Sequence, residues 1–490
     1  MMHKPKTAIF LLFVLMAATW GARFFMLQKS PYAPGLDGYS YAVQTYSLKH
    51  FGKVKDPDAS PVLRLLGGLA RIIGDPVISN KAGAALLAAL LLLPVFLLGR
   101  RVTGSPAAGL GMAAFFSFSP SLTCLSIEFL KNLGGLVGLF FFFYFLRGLY
   151  CRNGKLPAAA GLLAAAVFTL LAHRSTAVLV LAAAGLALLP LLWKRKGLAL
   201  LLAGAVTGGF LLLVRLRGGL HFLDLERIAD VFAVRDLLPV FSDYLRAVLP
   251  GAMTAELTFA ALSPFLLLFF RRRLAADPLL RILWVLLFLL ALPVWDLSRL
   301  DMGFRMLLLA VPLALVLWGC VLFHVLRGLR TGMGGVAVLP VAALLFFSTW
   351  VYNPARDPDY RLYERAIAPV DLPADSLLIS HQGMNFFYTY KKWKGPRWEG
   401  SLCWLPEYEV PVEKLWRLAH GVTFREVATA RPDWVKDGRL KESVFPYLLI
   451  REDCWNAFLR TQPRERVRSL ENWFNPHTVR PAFLRVHRTL

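Results

Sequence analysis

Apolar residues run almost unbroken through eleven stretches of the chain: 7–27, 80–99, 106–122, 132–149, 156–172, 175–193, 197–214, 255–270, 278–295, 305–325 and 334–352. A helix rises about 1.5 Å per residue, so roughly 20 apolar residues cross the hydrocarbon core of a bilayer. The pattern therefore predicts an α-helical polytopic membrane protein with eleven spans, the shorter ones tilted or extended at their ends. The first run follows the basic hexapeptide MMHKPK. No small-residue cleavage site follows it, so it reads as a retained span rather than a signal peptide.

Three polar regions interrupt or follow the apolar runs. The first, 28–79, contains SPYAPGLDGYSYAVQTYSLKHFG and then DPDASPVLRLLGGLARIIGDP. Within it Val62–Ile73 has one apolar face with Arg64 and Arg71 off it, the pattern of a helix lying on a membrane surface. The second, 215–254, mixes acids, arginines and apolar residues (HFLDLERIADVFAVRDLLPVF) and reads as another interfacial helix. The third, 353–490, has its own aromatic and aliphatic residues. SLLISHQGMNFFYTY opens like a short strand, VEKLWRLA reads as helix, and the region is expected to form a small α/β domain. The expected domains are a membrane module over 1–352 and an extracytoplasmic domain over 353–490.

Composition agrees with the pattern. Hydrophobic residues make up 57% of the 490 residues and charged residues only 18%, against about 25% charged in soluble domains. The net charge of +24 would in a soluble protein point to nucleic acid. Its distribution argues otherwise: residues 1–352 carry 33 basic and 14 acidic residues, residues 353–490 carry 22 and 17. With the N-terminus in the cytoplasm, Arg100–Arg101, Arg152–Lys155, Trp193–Lys196, Arg271–Arg273 and Arg327–Arg330 all fall inside, as the positive-inside rule requires. Almost every acid falls outside, Asp277 excepted, and Asp277 reads as a helix-start residue. The odd span count then puts 353–490 outside. The five cysteines have no metal-ligand spacing; Cys403 and Cys454 are either a disulfide or two buried thiols.

Candidate chemistry gathers at the outer ends of the runs. Asp37, in Gly35-Leu36-Asp37-Gly38-Tyr39-Ser40-Tyr41, lies about ten residues beyond the first run. Flanking glycines permit a tight turn and tyrosines anchor at the headgroups, so its carboxylate is placed to act as a general base on a membrane-bound substrate; an Asx turn is the competing reading. Asp56-Pro57-Asp58 offers two carboxylates for a hard cation, or an ordinary turn. Glu128, Lys131 and Asn132 form a polar edge before the fourth run: Glu128 and Lys131 can pair on a helix, or Lys131 can face a phosphate. His173-Arg174, between the fifth and sixth runs, suits an anionic headgroup, or is a solvated turn with a snorkelling arginine. Arg299 and Arg305, in WDLSRLDMGFR, suit phosphate, or pair locally with Asp296 and Asp301. The Phe140–Phe143 run reads as lipid-facing or packed core.

On these features the chain resembles the GT-C superfamily of integral-membrane glycosyltransferases, whose relatives include protein O-mannosyltransferases, lipid A aminoarabinose transferases and the catalytic subunits of oligosaccharyltransferases. The resemblance covers 1–352. It rests on Asp37 in LDGYSYA, on SPVLRLLGGLARIIGDP followed by the second span ending at FLLGRRVTG, on IEFLKN entering the fourth span, and on Arg305 entering a late one. It implies inverting transfer of a sugar from a polyprenyl-phosphate or polyprenyl-diphosphate donor to a lipid, glycan or protein acceptor, outside a bacterial-type plasma membrane. Asp37 would be the base, and Lys131, His173, Arg174, Arg299 and Arg305 would stabilise the leaving phosphate. It implies no cofactor and favours no metal, although a divalent ion is compatible with it. No WWDYG-like motif is present; Trp393-Lys394-Gly395 and Trp398-Glu399-Gly400 do not match it, which argues against transfer to asparagine. Trp393, Trp398, Trp404 and Tyr408 can stack on a glycan or build a core.

Two other classes compete. A transporter or flippase of a lipid-linked anion would explain the spans, but such proteins often show inverted repeats and midplane charges. A surface-polysaccharide polymerase or ligase would use the 215–254 loop, with His221, Arg227 and Arg235. A membrane-anchored assembly protein is the non-catalytic reading.

Overall fold

The computed structural model describes residues 5–35, 37–55, 58–150, 155–194, 204, 251–291, 300–328, 360–368, 377–392, 402–405, 417–419 and 446–450. They are mostly helical and fall into two compact units. One takes the described residues of Met1–Pro31, Asp56–Ala233 and Leu249–Tyr352; the other takes those of Tyr32–Lys55 and Asn353–Leu490.

The first unit is a helical bundle: α1 (Pro5–Leu27), α3 (Pro61–Ile73), α4 (Pro76–Thr103), α5 (Pro106–Phe118), α6 (Pro120–Glu128), α7 (Leu130–Leu149), α8 (Lys155–Ala172), α9 (Arg174–Lys194), α10 (Gly251–Leu266), α11 (Pro278–Ala291) and α12 (Leu300–Gly328). Four of these starts share one local device, a capping residue followed by proline. Asp75 Oδ1 accepts from the Ile78 N–H at 2.8 Å, Ser105 Oγ from Ala108 at 3.3 Å and Ser119 Oγ from Leu122 at 3.2 Å, each just before a proline at the first helical position. Proline costs nothing there because its missing N–H would be unpaired anyway. Asp277 behaves likewise at α11, its Oδ1 accepting from Leu279 at 2.9 Å and its Oδ2 meeting Arg147 Nε at 3.0 Å.

Helix α4 lies at the centre of this unit, packed by α1, α3, α5 and α7. Phe140, Phe142 and Phe143 of α7 are buried core. Helix α3 buries Val62, Leu63, Leu66 and Ala70 and exposes Arg64, Arg71 and Ile72, the two-faced arrangement read from its sequence.

Among the described residues five helices are long and apolar enough to cross a membrane: Lys6–Leu27, Pro76–Thr103, Leu130–Leu149, Met253–Phe270 and Met306–Val325. The pair α5–α6 adds a sixth if its two parts, bent by 55°, form one broken span. The expected run 106–122 is thus not one straight helix. Pro120 has no N–H to give and its ring crowds the carbonyl four residues back, so the chain breaks at Ser119. Leu156–Ala172, Arg174–Leu189 and Pro278–Ala291 are shorter apolar helices. The runs 197–214 and 334–352 and the 215–254 loop, with His221, Arg227 and Arg235, lie outside the described residues apart from Gly204 and the start of α10. The described helices are those of a polytopic membrane protein.

In the second unit, α2 (Gly38–Phe51) packs on α14 (Gln382–Lys392), which also meets α13 (Tyr360–Ile367). Strands β1 (Leu377–His381), β2 (Leu402–Leu405), β3 (Arg417–Ala419) and β4 (Pro446–Ile450) form a sheet in the order β2-β1-β4-β3. β1 is parallel to β2 and β4, and β3 is antiparallel to β4. The last residues of VEKLWRLA therefore lie in a strand rather than the expected helix; pairing with Leu448–Ile450 overrides local helical preference. Cys403 is in β2, and Cys454 is outside the described residues.

Candidate active site

Asp37 belongs to the second unit, on a turn fixed from both sides. Gly35 has φ of +75°, which residues with a Cβ rarely adopt. Gly38 lies so close to Ala33 that an added Cβ would meet its carbonyl carbon at 2.9 Å. Asp37 occupies the N-cap position of α2, with φ −84° and ψ −1°, and its carbonyl accepts from the Tyr41 N–H at 3.1 Å. Its carboxylate makes no capping bond to the helix, contrary to the Asx-turn alternative, and is half-buried.

An aromatic cluster braces this turn. Tyr360, 2% exposed, donates from its hydroxyl to the Gly35 carbonyl at 2.8 Å. The Tyr39 ring meets Tyr360 and Phe387 edge-on, both at 4.8 Å between centroids, and Tyr360 stacks on Phe387 at 5.4 Å. Burial pushes the Tyr39 phenol far above its ordinary value, so it stays neutral. Around the cluster, Glu364 accepts from Tyr32 Oη and from Lys391 Nζ, both at 2.8 Å. Partial burial alone would raise this carboxyl, but the two donors and the Lys391 charge hold it below its ordinary 4.5.

The first unit contributes a second constellation. Lys131, in the first turn of α7, meets Asp58 Oδ2 at 2.9 Å. Asp58 Oδ1 accepts from the Ser60 N–H at 2.8 Å, and Ser60 Oγ donates to the Ala172 carbonyl at 3.0 Å. Residue 172 ends α8, so this chain of bonds ties Asp58 and Lys131 to the His173-Arg174 junction. His173 Nδ1 accepts from the Ser175 N–H at 3.2 Å, so the neutral ring carries its proton on Nε2.

A lysine in the first turn of a helix opposes the macrodipole, which is positive at that end. Arg174 is in the same position in α9, and α7 packs against α9. Two helix starts, each adding a basic side chain to its own positive end, concentrate positive potential suited to phosphate. Asp58 balances part of it.

Sequence reasoning grouped Asp58 with Asp56 as a metal hint and gave Lys131 either Glu128 or a phosphate as its partner; the structure joins Asp58 to Lys131. Glu128 ends α6, two residues before α7 is under way. Arg305 lies in α12 with its side chain outside the described residues, as are Asp56 and Arg299 altogether. Among the described residues no three His, Cys, Asp or Glu side chains converge as metal ligands. Three buried charges were missed. Lys81 of α4, 1% exposed, donates to the Ser30 carbonyl; Arg23 and Glu256 are 5% and 9% exposed. The signal was an ionisable residue within an apolar run, which is costly unless partnered.

No protein-family model matches the chain, and no curated protein matches it. Among solved structures it is similar to the crystal structure of the Archaeoglobus fulgidus oligosaccharyltransferase in complex with Zn and sulfate, at a TM-score of 0.50 and 13% identity, covering 94% of this chain and 70% of that one.

Proposed function

We propose that the protein is a membrane glycosyltransferase that moves a sugar, with inversion, from a polyprenyl-phosphate or polyprenyl-diphosphate donor to a lipid, glycan or protein acceptor. The observation that carries this reading is the fold shared with an oligosaccharyltransferase over 94% of the chain. The Asp37 turn and the basic helix starts supply the chemistry such a fold needs.

In this reading Asp37 takes the proton from the acceptor nucleophile, which attacks the anomeric carbon. The bond from that carbon to the phosphate oxygen breaks, and the lipid phosphate leaves. Charge grows on the leaving oxygen in the transition state, so fixed positive groups aimed there speed the step. Lys131 and Arg174 supply them, with Arg299 and Arg305 from the late outer region, and the neutral His173 adds its Nε2–H as a donor. No metal ion is assigned to the reaction. The same reading has eleven spans, the N-terminus in the cytoplasm of a bacterial-type cell, and 353–490 outside its plasma membrane as an α/β domain. The missing WWDYG-like motif directs the reading away from asparagine acceptors.

The test is incubation of the protein in nanodiscs with a native lipid extract containing polyprenyl-linked sugars and candidate acceptors, followed by mass spectrometry. Sugar-bearing product that depends on the protein supports the reading. Movement of the intact lipid-linked sugar across a reconstituted bilayer, without product, would replace it with a transporter.

A further inference from the structure

Three elements of the first unit meet at the break between α5 and α6. In an unbroken helix the Ser121 N–H would bond to the Ser117 carbonyl. Here neither group has that partner. The Ser121 N–H donates to Glu256 Oε2 of α10 at 2.9 Å, and the Ser117 carbonyl accepts from Arg23 Nη2 of α1 at 3.1 Å. A carboxylate and a guanidinium from two other helices thus stand in for one missing bond of the backbone ladder.

Arg23 bridges both sides of the break. Its Nη1 donates to Thr123 Oγ1 at 3.0 Å and Ser126 Oγ at 3.2 Å on α6, while Nη2 holds the carbonyl on α5. One turn earlier on α1, Thr19 Oγ1 shares a hydrogen bond of 2.5 Å with Ser117 Oγ. The charges of Arg23 and Glu256 also attract each other. Two buried ionisable groups are an expensive way merely to stabilise a bundle, since well-packed apolar residues commonly serve as well. A planar guanidinium with several fixed donors is instead suited to fixing an angle.

What the angle controls follows from the chain order. Helix α6 ends at Glu128, and α7 begins at Leu130 with Lys131 next. The direction of α6 sets where the α7 start, and with it the Lys131–Asp58 pair, is presented. We infer that Arg23 and Glu256 are positioning residues that hold the break between α5 and α6 open and thereby place Lys131. The catalytic half of this inference rests on the reading that Lys131 faces the donor phosphate.

The test uses the full chain in nanodiscs with its five cysteines replaced by alanine and spin labels at Ala107→Cys and Ile127→Cys. The key variant is the double substitution Arg23→Met/Glu256→Leu, because each single change strands a buried charge and risks misfolding. Without the inserted pair, the Ser121 N–H and the Ser117 carbonyl can bond to each other, and the helix straightens toward an ordinary proline kink. From arms of about 1.5 Å per residue the label separation should grow by roughly 2–3 Å. Transfer from polyprenyl-linked sugar should fall at least tenfold in kcat/KM while thermal unfolding stays at the wild-type temperature. An unchanged separation, or a longer one with wild-type kcat/KM, would overturn the positioning role and leave the pair as packing. If the wild type transfers no sugar, the proposed function fails, and the separation still decides whether the pair sets the break.

Discussion

Replacing Gly38 with alanine puts a Cβ 2.9 Å from the carbonyl carbon of Ala33, 3.0 Å from its Cβ and 3.1 Å from its oxygen. Attractive carbon–carbon contacts begin near ~3.5 Å, so the turn must open by roughly half an ångström. The obstacle is mainly backbone and no rotamer change can relieve it. Overpacking of this kind costs about 1–3 kcal/mol. Asp37 is the preceding residue, so its carboxylate moves with the turn. A displacement of about 1 Å at a reacting group costs on the order of a hundredfold in rate, and half of that predicts a loss of about tenfold. The control is Gly68→Ala on the exposed face of α3, where an added Cβ meets nothing within 4 Å; removing a helical glycine should stabilise by up to about 1 kcal/mol. Both variants are assayed for sugar transfer by mass spectrometry and for thermal unfolding. Wild-type transfer by folded Gly38→Ala would refute the claim that this close approach aims the carboxylate.

Three further outcomes follow from the same geometry. Asp58→Ala should lower stability by only about 1 kcal/mol, because the pair with Lys131 is partly exposed, yet reduce transfer at least tenfold; equal and small effects on both would mark the pair as a surface contact. Tyr360→Phe removes a buried hydroxyl bond to Gly35 and should cost about 1 kcal/mol in unfolding measurements, with transfer reduced more than in a matched core variant. Glu364 has a folded value held below 4.5, so its contribution to stability is full above 4.5 and lost as pH falls through the lowered value. Glu364→Gln should therefore flatten the acid limb of thermal stability, and an unchanged limb would exclude this carboxyl as its source.

Much of the fold was legible because its signals are local. The runs behind α1, α4, α7 and α12 are long and apolar enough to be read without tertiary information, and the amphipathic face of α3 follows from the spacing of Val62, Leu66 and Ala70. Leu377–His381 was readable as a strand and Asp277 as a helix start. The break at Ser119-Pro120 was legible in principle, since a cap followed by proline starts three other helices here. What stayed hidden depends on contacts distant in sequence. Lys131 meets Asp58 across 73 residues, and Ser121 meets Glu256 across 135. Strand β3 exists only because β4 offers an edge. In the candidate site, Asp37 was identified from its two glycines, but the Tyr360 and Phe387 scaffold came from a segment more than 300 residues away.

The central claim is that Asp37 is the base of a sugar transfer. Asp37→Asn keeps the size of the side chain and removes its charge, and thermal unfolding checks that the variant is folded. Wild type and variant, purified in matched nanodiscs, are given the same polyprenyl-linked sugars and acceptors and followed by mass spectrometry. General base catalysis contributes about 10²–10⁴-fold, so product should form with wild type and fall at least a hundredfold with the folded variant. Equal product from both proteins would contradict the account.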